Sequence, residues 1–182
     1  MSTQQCNSKN TVHKRIFECV LFAMLGTIMF LGDLLMEALP NIHFVGALCV
    51  TYAVVFRFKA LIPIYVYVIL NGFYLGFSAW WLPYVYIWLP LWGVAMLIPR
   101  RLNPKLKCVI YPIITALHGF AFGTLYAPAQ ALMFGLDFRG MLAWIVSGLY
   151  FDLVHGISNF FMGFLVFPLS ELMFKLLKRR PV

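Results

Sequence analysis

Charge is what this 182-residue chain has least of: Asp, Glu, Lys and Arg together make up 11% of it, and only six residues are acidic. With 63% hydrophobic residues and a mean hydropathy of +0.87, that scarcity excludes a soluble domain. Other absences narrow the function. There is no Gly-Lys pair and hence no phosphate-cradling loop, so any ATP-driven work falls to another subunit. No two glutamates are adjacent, and there is no Gly-x-Ser-x-Gly element. The four cysteines (Cys6, Cys19, Cys49 and Cys108) have no metal-ligand spacing and no oxidising loop to pair in, so no metal and no cofactor is expected. Internal repeats are absent too, which weighs against an inverted-repeat secondary transporter.

What is present is a sequence of long apolar runs with the cations confined between them. Six runs are predicted to span a membrane, at about 16–39, 44–56, 61–80, 82–98, 108–134 and 141–174, as one all-α domain covering 1–182. The first is too long for a signal-peptide core and is not followed by a small-residue cleavage site. With this division every Lys and Arg but Arg139 falls on one side. Lys9, Lys14 and Arg15 precede span 1, and Arg57 and Lys59 separate spans 2 and 3. Arg100, Arg101, Lys105 and Lys107 separate spans 4 and 5, and Lys175, Lys178, Arg179 and Arg180 follow span 6. Juxtamembrane Lys and Arg are retained on the cytoplasmic side, which predicts both termini inside and a multi-pass protein of the cell (plasma) membrane. The net charge of +8 is then a rim facing anionic headgroups of the lipid bilayer, not a nucleic-acid groove. Span 2, at thirteen residues, rises only about 20 Å, which suggests that it lines a water-filled concavity. Span 6 is longer than a bilayer needs, so its inner end is expected to project or tilt.

Polar residues inside the spans are the strongest functional signal. Asp152, His155 and Asn159 share one face of span 6 at i, i+3, i+7, with His118 and Asn71 at similar depth on spans 5 and 3. Ionisable groups this deep face the bundle interior and mark a pathway or a binding site; the competing reading is an interhelical clamp, with Asp152 accepting from an imidazole and Asn159 bonding a neighbouring backbone. Asp33 and Glu37 form an i, i+4 acidic pair in the outer half of span 1, suited to a cationic or hydrogen-bond-donating ligand or to simple solvation among the headgroups. Trp80, Trp81, Tyr84, Tyr86 and Trp88 crowd the outer ends of spans 3 and 4, with Tyr126 and Trp144 at comparable depth. Much of this is an aromatic belt, but rings that turn inward would stack on a flat heterocycle. Small residues at helix-packing spacing, Cys19-x-x-x-Ala23-x-x-x-Thr27 and Gly72-x-x-x-Gly76, predict close approach of other helices.

Six helices with both termini inside, an aromatic outer rim, a small-residue stripe on helix 1 and the stretch Gly119-Phe120-Ala121-Phe122-Gly123-Thr124-Leu125-Tyr126-Ala127-Pro128 together resemble the substrate-binding S components of energy-coupling factor (ECF) vitamin transporters. The ten-residue stretch is similar to the Gly-x-x-Phe…Tyr-Ala-Pro of thiamine-type members, departing at Gly123, where they have tryptophan, and at Thr115, where they have histidine. The resemblance implies capture of a small-molecule nutrient from outside, in a pocket between helices 4 to 6 capped by the loop Leu39–His43. It also implies a helix 1 interface (Ala23 and Thr27 here) to a transmembrane T component coupled to two ATPase subunits. The pocket candidates are Tyr84, Tyr126 and Trp144 for stacking and Gln130, Asp152 and His155 for hydrogen bonding, in a binder rather than an enzyme. The alternatives are an intramembrane protease of the CAAX type, because His155-Gly-Ile-Ser-Asn159 matches its HxxxN element, and a ligand-free accessory subunit.

Overall fold

The computed structural model describes residues 3–39 and 42–178, with side chains from Val12 onward; Lys9, Cys6, Pro40, Asn41, Arg179 and Arg180 lie outside these limits as side chains. All regular structure among the described residues is helical: α1 Thr3–Leu35, α2 Val45–Phe56, α3 Leu61–Leu75, α4 Tyr84–Leu97, α5 Pro104–Phe120, α6 Phe122–Phe134, α7 Phe138–Gly163 and α8 Val166–Lys178, with a 3₁₀ turn at Arg57–Ala60. Four apolar helical stretches are long enough to cross a membrane: Val12–Leu35, Val45–Leu75, Pro104–Phe134 and Phe138–Gly163; Tyr84–Leu97 is a shorter one. Their outward surfaces carry Ile16, Met24, Leu31, Val146, Phe151 and Phe161, all exposed, as a lipid-facing protein requires.

The Val45–Leu75 stretch is not one rod. Arg57 takes a left-handed φ of 58°, which reverses the chain. Phe56 meets Phe22 edge-on and the Tyr52 hydroxyl donates to the Leu25 carbonyl, so α2 runs antiparallel to α1. Lys59 pairs with Glu18 at one end and Tyr74 donates to Glu37 at the other, so α3 returns parallel to α1. Two arginines close the turn. Arg57 donates to the carbonyls of Met96 and Ile98 at the end of α4, and Arg100 donates to the Val55 carbonyl at the end of α2. Each cation thus satisfies carbonyls that a helix C-terminus leaves without an intrahelical partner.

α2 is the central element, with all of its residues but Leu48 and Phe56 buried. It packs against α1, α4, α5, α7 and α8. A short helix can serve here because protein, not lipid, surrounds it, so bilayer thickness sets no minimum length. The expected water-filled concavity is replaced by protein packing, because the helix is apolar all round. The long last run is also divided: α7 ends at Gly163, two turn residues follow, and α8 packs on α2 and α5, with Lys107 beside Glu171 at 3.9 Å.

Glycines set the tightest seam, between α5 and α7. A Cβ on Gly119 would stand 2.8 Å from the Gly156 Cα, and one on Gly163 would strike the Pro112 backbone and the Thr115 hydroxyl. The Thr115 hydroxyl bridges the same seam, 2.9 Å from the Asn159 carbonyl. Gly26 does this job between α1 and α3, its Cβ position being only 2.6 Å from Val66. The two small-residue stripes fare differently. Ala23 and Thr27 face outward, while Gly72 makes room for Phe77 and Trp81 of the outer turn and Gly76 sits at φ 84°, so that pair shapes a loop and not a helix crossing.

Candidate functional site

The run expected as span 5 breaks at Ala121, and the break builds the site. Across it, the Gly123 amide donates to Asp152 Oδ1 of α7 at 2.8 Å. Asp152 therefore caps the first turn of α6 from a neighbouring helix, where a carboxylate also complements the helix dipole. A Cβ on Gly123 would lie 2.5 Å from Asp152 Oδ2, so only glycine lets the carboxylate this close. The expected Asp152–imidazole clamp is not formed: the Gly123 amide holds Oδ1, and Oδ2 has no hydrogen-bond partner among the described residues.

Around this break lies a contiguous set of rings. Trp144 stacks on Tyr126 (centroids 5.9 Å apart, planes 13° apart), Tyr126 on Phe122, and Phe122 on His155 at 4.6 Å. His43, from the loop before α2, meets His155 edge-on at 4.5 Å. Trp88 of α4 closes the other side, 5.5 Å from His118 and 6.1 Å from Phe122. The structure thus brings together four of the six candidates: Tyr126, Trp144, Asp152 and His155. Tyr84 meets Trp88 at the margin of the set, ring centroids 6.1 Å apart, and Gln130 lies buried one turn beyond Tyr126 on α6. Asn71 stands apart: with Tyr67 it donates to Asp33, and it lines a pocket of about 110 Å³ with Phe30, Asp33, Glu37 and Tyr74 between α1 and α3.

His43, Trp88, His118, Phe122 and Asn159 were outside the six candidates. His118 and Asn159 carried a signal, being polar at mid-depth, and Trp88 belonged to the outer aromatic group. His43 is four residues past the end of the predicted first span, and nothing in its spacing points to His155. Phe122 stood in the Gly-x-x-Phe stretch that carries the family resemblance but was not named as a pocket residue.

The chemistry is in the atoms left over. His43 Nδ1, Trp88 Nε1, His118 Nδ1, Asp152 Oδ2, His155 Nε2 and both amide atoms of Asn159 are buried without a hydrogen-bond partner among the described residues. Gln130 Oε1 and Ser158 Oγ share that condition nearby. The Asn159 amide lies between two glycines: a Cβ on Gly46 would be 3.6 Å from it, and one on Gly119 2.9 Å. Asn159 does not clamp a neighbouring backbone with its side chain; only its own carbonyl accepts, from Thr115. His118 Nε2 lies 2.9 Å from the Ile87 carbonyl, which can only accept, so Nε2 carries the proton. Among the described residues no group of His, Cys, Asp and Glu is arranged to hold a metal ion. Such an arrangement can bind a flat polar molecule through its ring faces and edge atoms. Compared with family models, with curated proteins and with solved structures, the chain matches none.

Proposed function

We propose that this chain is a six-pass membrane protein, both termini cytoplasmic, that binds a small polar heterocyclic nutrient as the S component of an ECF-type importer. The reading rests on one observation above all: the buried polar atoms, without a partner among the described residues, gathered among stacked rings where α2 begins. Each such atom costs about 1–3 kcal/mol when left unpaired, and a domain's whole stability is only about 5–15 kcal/mol. A core that merely packs would not retain so many together, whereas a site for a polar guest needs them. The alternation of helix directions supports six passes. α2 opposes α1 and α3 opposes α2; the Tyr65 hydroxyl of α3 reaches Val85 of α4, and the Trp81 indole of the turn before α4 reaches Val68. α5–α6 opposes the chain around α4 through His118–Ile87 and Tyr126–Trp80, and opposes α7 through Thr115–Asn159 and Tyr126–Trp144. The loop before α2 contributes His43 to the site, as a capping loop would. Exposure of Ala23 and Thr27 leaves the small-residue face of α1 free for a transmembrane partner.

Affinity purification in mild detergent tests the assembly. The chain should carry with it an integral membrane protein and ATPases, and membranes holding them should take up the nutrient only with ATP. Recovery of a chain that instead cleaves a peptide substrate would replace this reading with the protease alternative.

A further inference from the structure

We infer that the guest is an uncharged planar heterocycle carrying both N–H donors and a carbonyl acceptor, and that the site rejects the carboxylate or phosphate form of the same ring. This rests on the binding reading above and concerns only which ligand chemistry the site accepts.

The inventory of atoms is the first support. His118 has its proton fixed on Nε2 by the Ile87 carbonyl, so in the neutral imidazole Nδ1 is an acceptor. Asp152 Oδ2 and Asn159 Oδ1 are acceptors too, and all three have no partner among the described residues. They call for N–H donors on the guest. Trp88 Nε1 is a donor only, and Asn159 Nδ2 donates as well, which calls for an acceptor. Asn159 offers one of each, the complement of an amide or lactam edge, and this holds whichever way its amide is turned.

Charge is the second support. Among the described residues no Lys or Arg has a hydrogen bond or ion pair to these groups: Arg57 and Arg100 bond carbonyls at the opposite end of α2, Lys59 and Lys107 pair with Glu18 and Glu171, and Arg139 is exposed at the start of α7. The ionisable acids near the rings are Asp152 itself and Asp33, which accepts from Tyr67, whose ring lies 5.9 Å from Trp88. An anion here would be desolvated beside acids with no cation to repay it. Helix N-termini are the remaining anion-binding device. That of α6 is already occupied by the Asp152 carboxylate. That of α2 has no side-chain cap and faces Asn159, so it suits a neutral carbonyl that tolerates the nearby acids. The rings of Phe122, Tyr126 and Trp88 supply apolar aromatic surface beside the polar atoms, which suits a planar guest.

Matched pairs test this without knowledge of the natural ligand. Purified protein in detergent is melted with millimolar uracil against orotate and nicotinamide against nicotinate, for the wild type and for Asn159→Leu. The expected result is stabilisation by at least one neutral member, at least tenfold weaker or no response to its carboxylate partner, and loss of the neutral response in the variant. Equal or stronger stabilisation by orotate or nicotinate, lost in Asn159→Leu, would overturn the inference while leaving a heterocycle-binding site in place. No response of the wild type to any of the four would count against the inference and the binding reading together.

Discussion

Asn159→Leu separates a binding site from a structural clamp by the sign of its effect on stability. Leu has the branched outline of Asn, so the change opens no cavity, and it deletes two buried amide atoms that have no partner among the described residues. Unpaired atoms of this kind cost about 1–3 kcal/mol each, so removing both should leave the empty protein as stable as before or raise its stability, by as much as roughly 2–6 kcal/mol if the amide is dry. Affinity should fall in the same variant, because the guest loses an acceptor and a donor; at about 1.4 kcal/mol per tenfold, two hydrogen bonds correspond to roughly a ten- to hundredfold loss. The assay is chemical or thermal unfolding in detergent without ligand, beside equilibrium binding with it. A drop in stability of more than about 1 kcal/mol with unchanged affinity would refute the reasoning, since an apolar swap costs stability only where the amide was paired.

Other substitutions follow from the same geometry. Asp152→Asn keeps an oxygen for the Gly123 amide and should lose little stability, whereas Asp152→Leu leaves that amide unpaired and should cost about 1–3 kcal/mol; equal melting of the two would deny the cap. Gly123→Ala drives a methyl into the Asp152 carboxylate and should behave like Asp152→Leu, measured the same way. Ala23→Leu, on an exposed face, should leave melting and ligand affinity unchanged and reduce co-purification of the membrane partner; a fall in melting would show that face to be internal. Burial lowers the pKa of His43 below its usual value, against an opposing pull from Asp33, so its contribution to stability is present above pH 6.5 and declines as pH falls through that range. Wild-type melting should drop between pH 7.5 and 5.5, and His43→Gln should flatten that dependence. Cysteine labelling should place the turn near Trp81 and the loop near Asp137 outside, with Lys59 and Lys105 inside; Lys59 and Lys105 on opposite faces would end the six-pass reading.

Much of the helical pattern was legible because apolar runs and cation placement follow directly from the physics of a bilayer. The Arg57 turn shows it: charge alone separated spans 2 and 3 within an otherwise continuous apolar stretch, and the chain does reverse there. The shared face of Asp152, His155 and Asn159 was legible from helical spacing, and so was the inward turn of some outer aromatics, now seen in Trp88 and Tyr126. What spacing could not give was the partner of each polar atom. Asp152 meets a backbone amide because the chain breaks at Ala121, and a backbone donor has no signature in the sequence. Helix breaks at Ala121 and Gly163 carry little signal either: Pro112 and Pro128 lie inside the helices that form and not at the breaks. The contact of His43 with His155 depends on how a loop folds over the bundle, which periodicity does not describe.

The most direct measurement is an experimental structure of the protein purified gently from its native membrane. It should hold a planar guest among Phe122, Trp88 and His155, with polar atoms within about 2.7–3.2 Å of Asn159, His118 Nδ1 and Asp152 Oδ2. A structure in which those atoms bond one another or ordered water, and the guest lies in the Asp33 pocket or is bound nowhere in the bundle, would contradict the account.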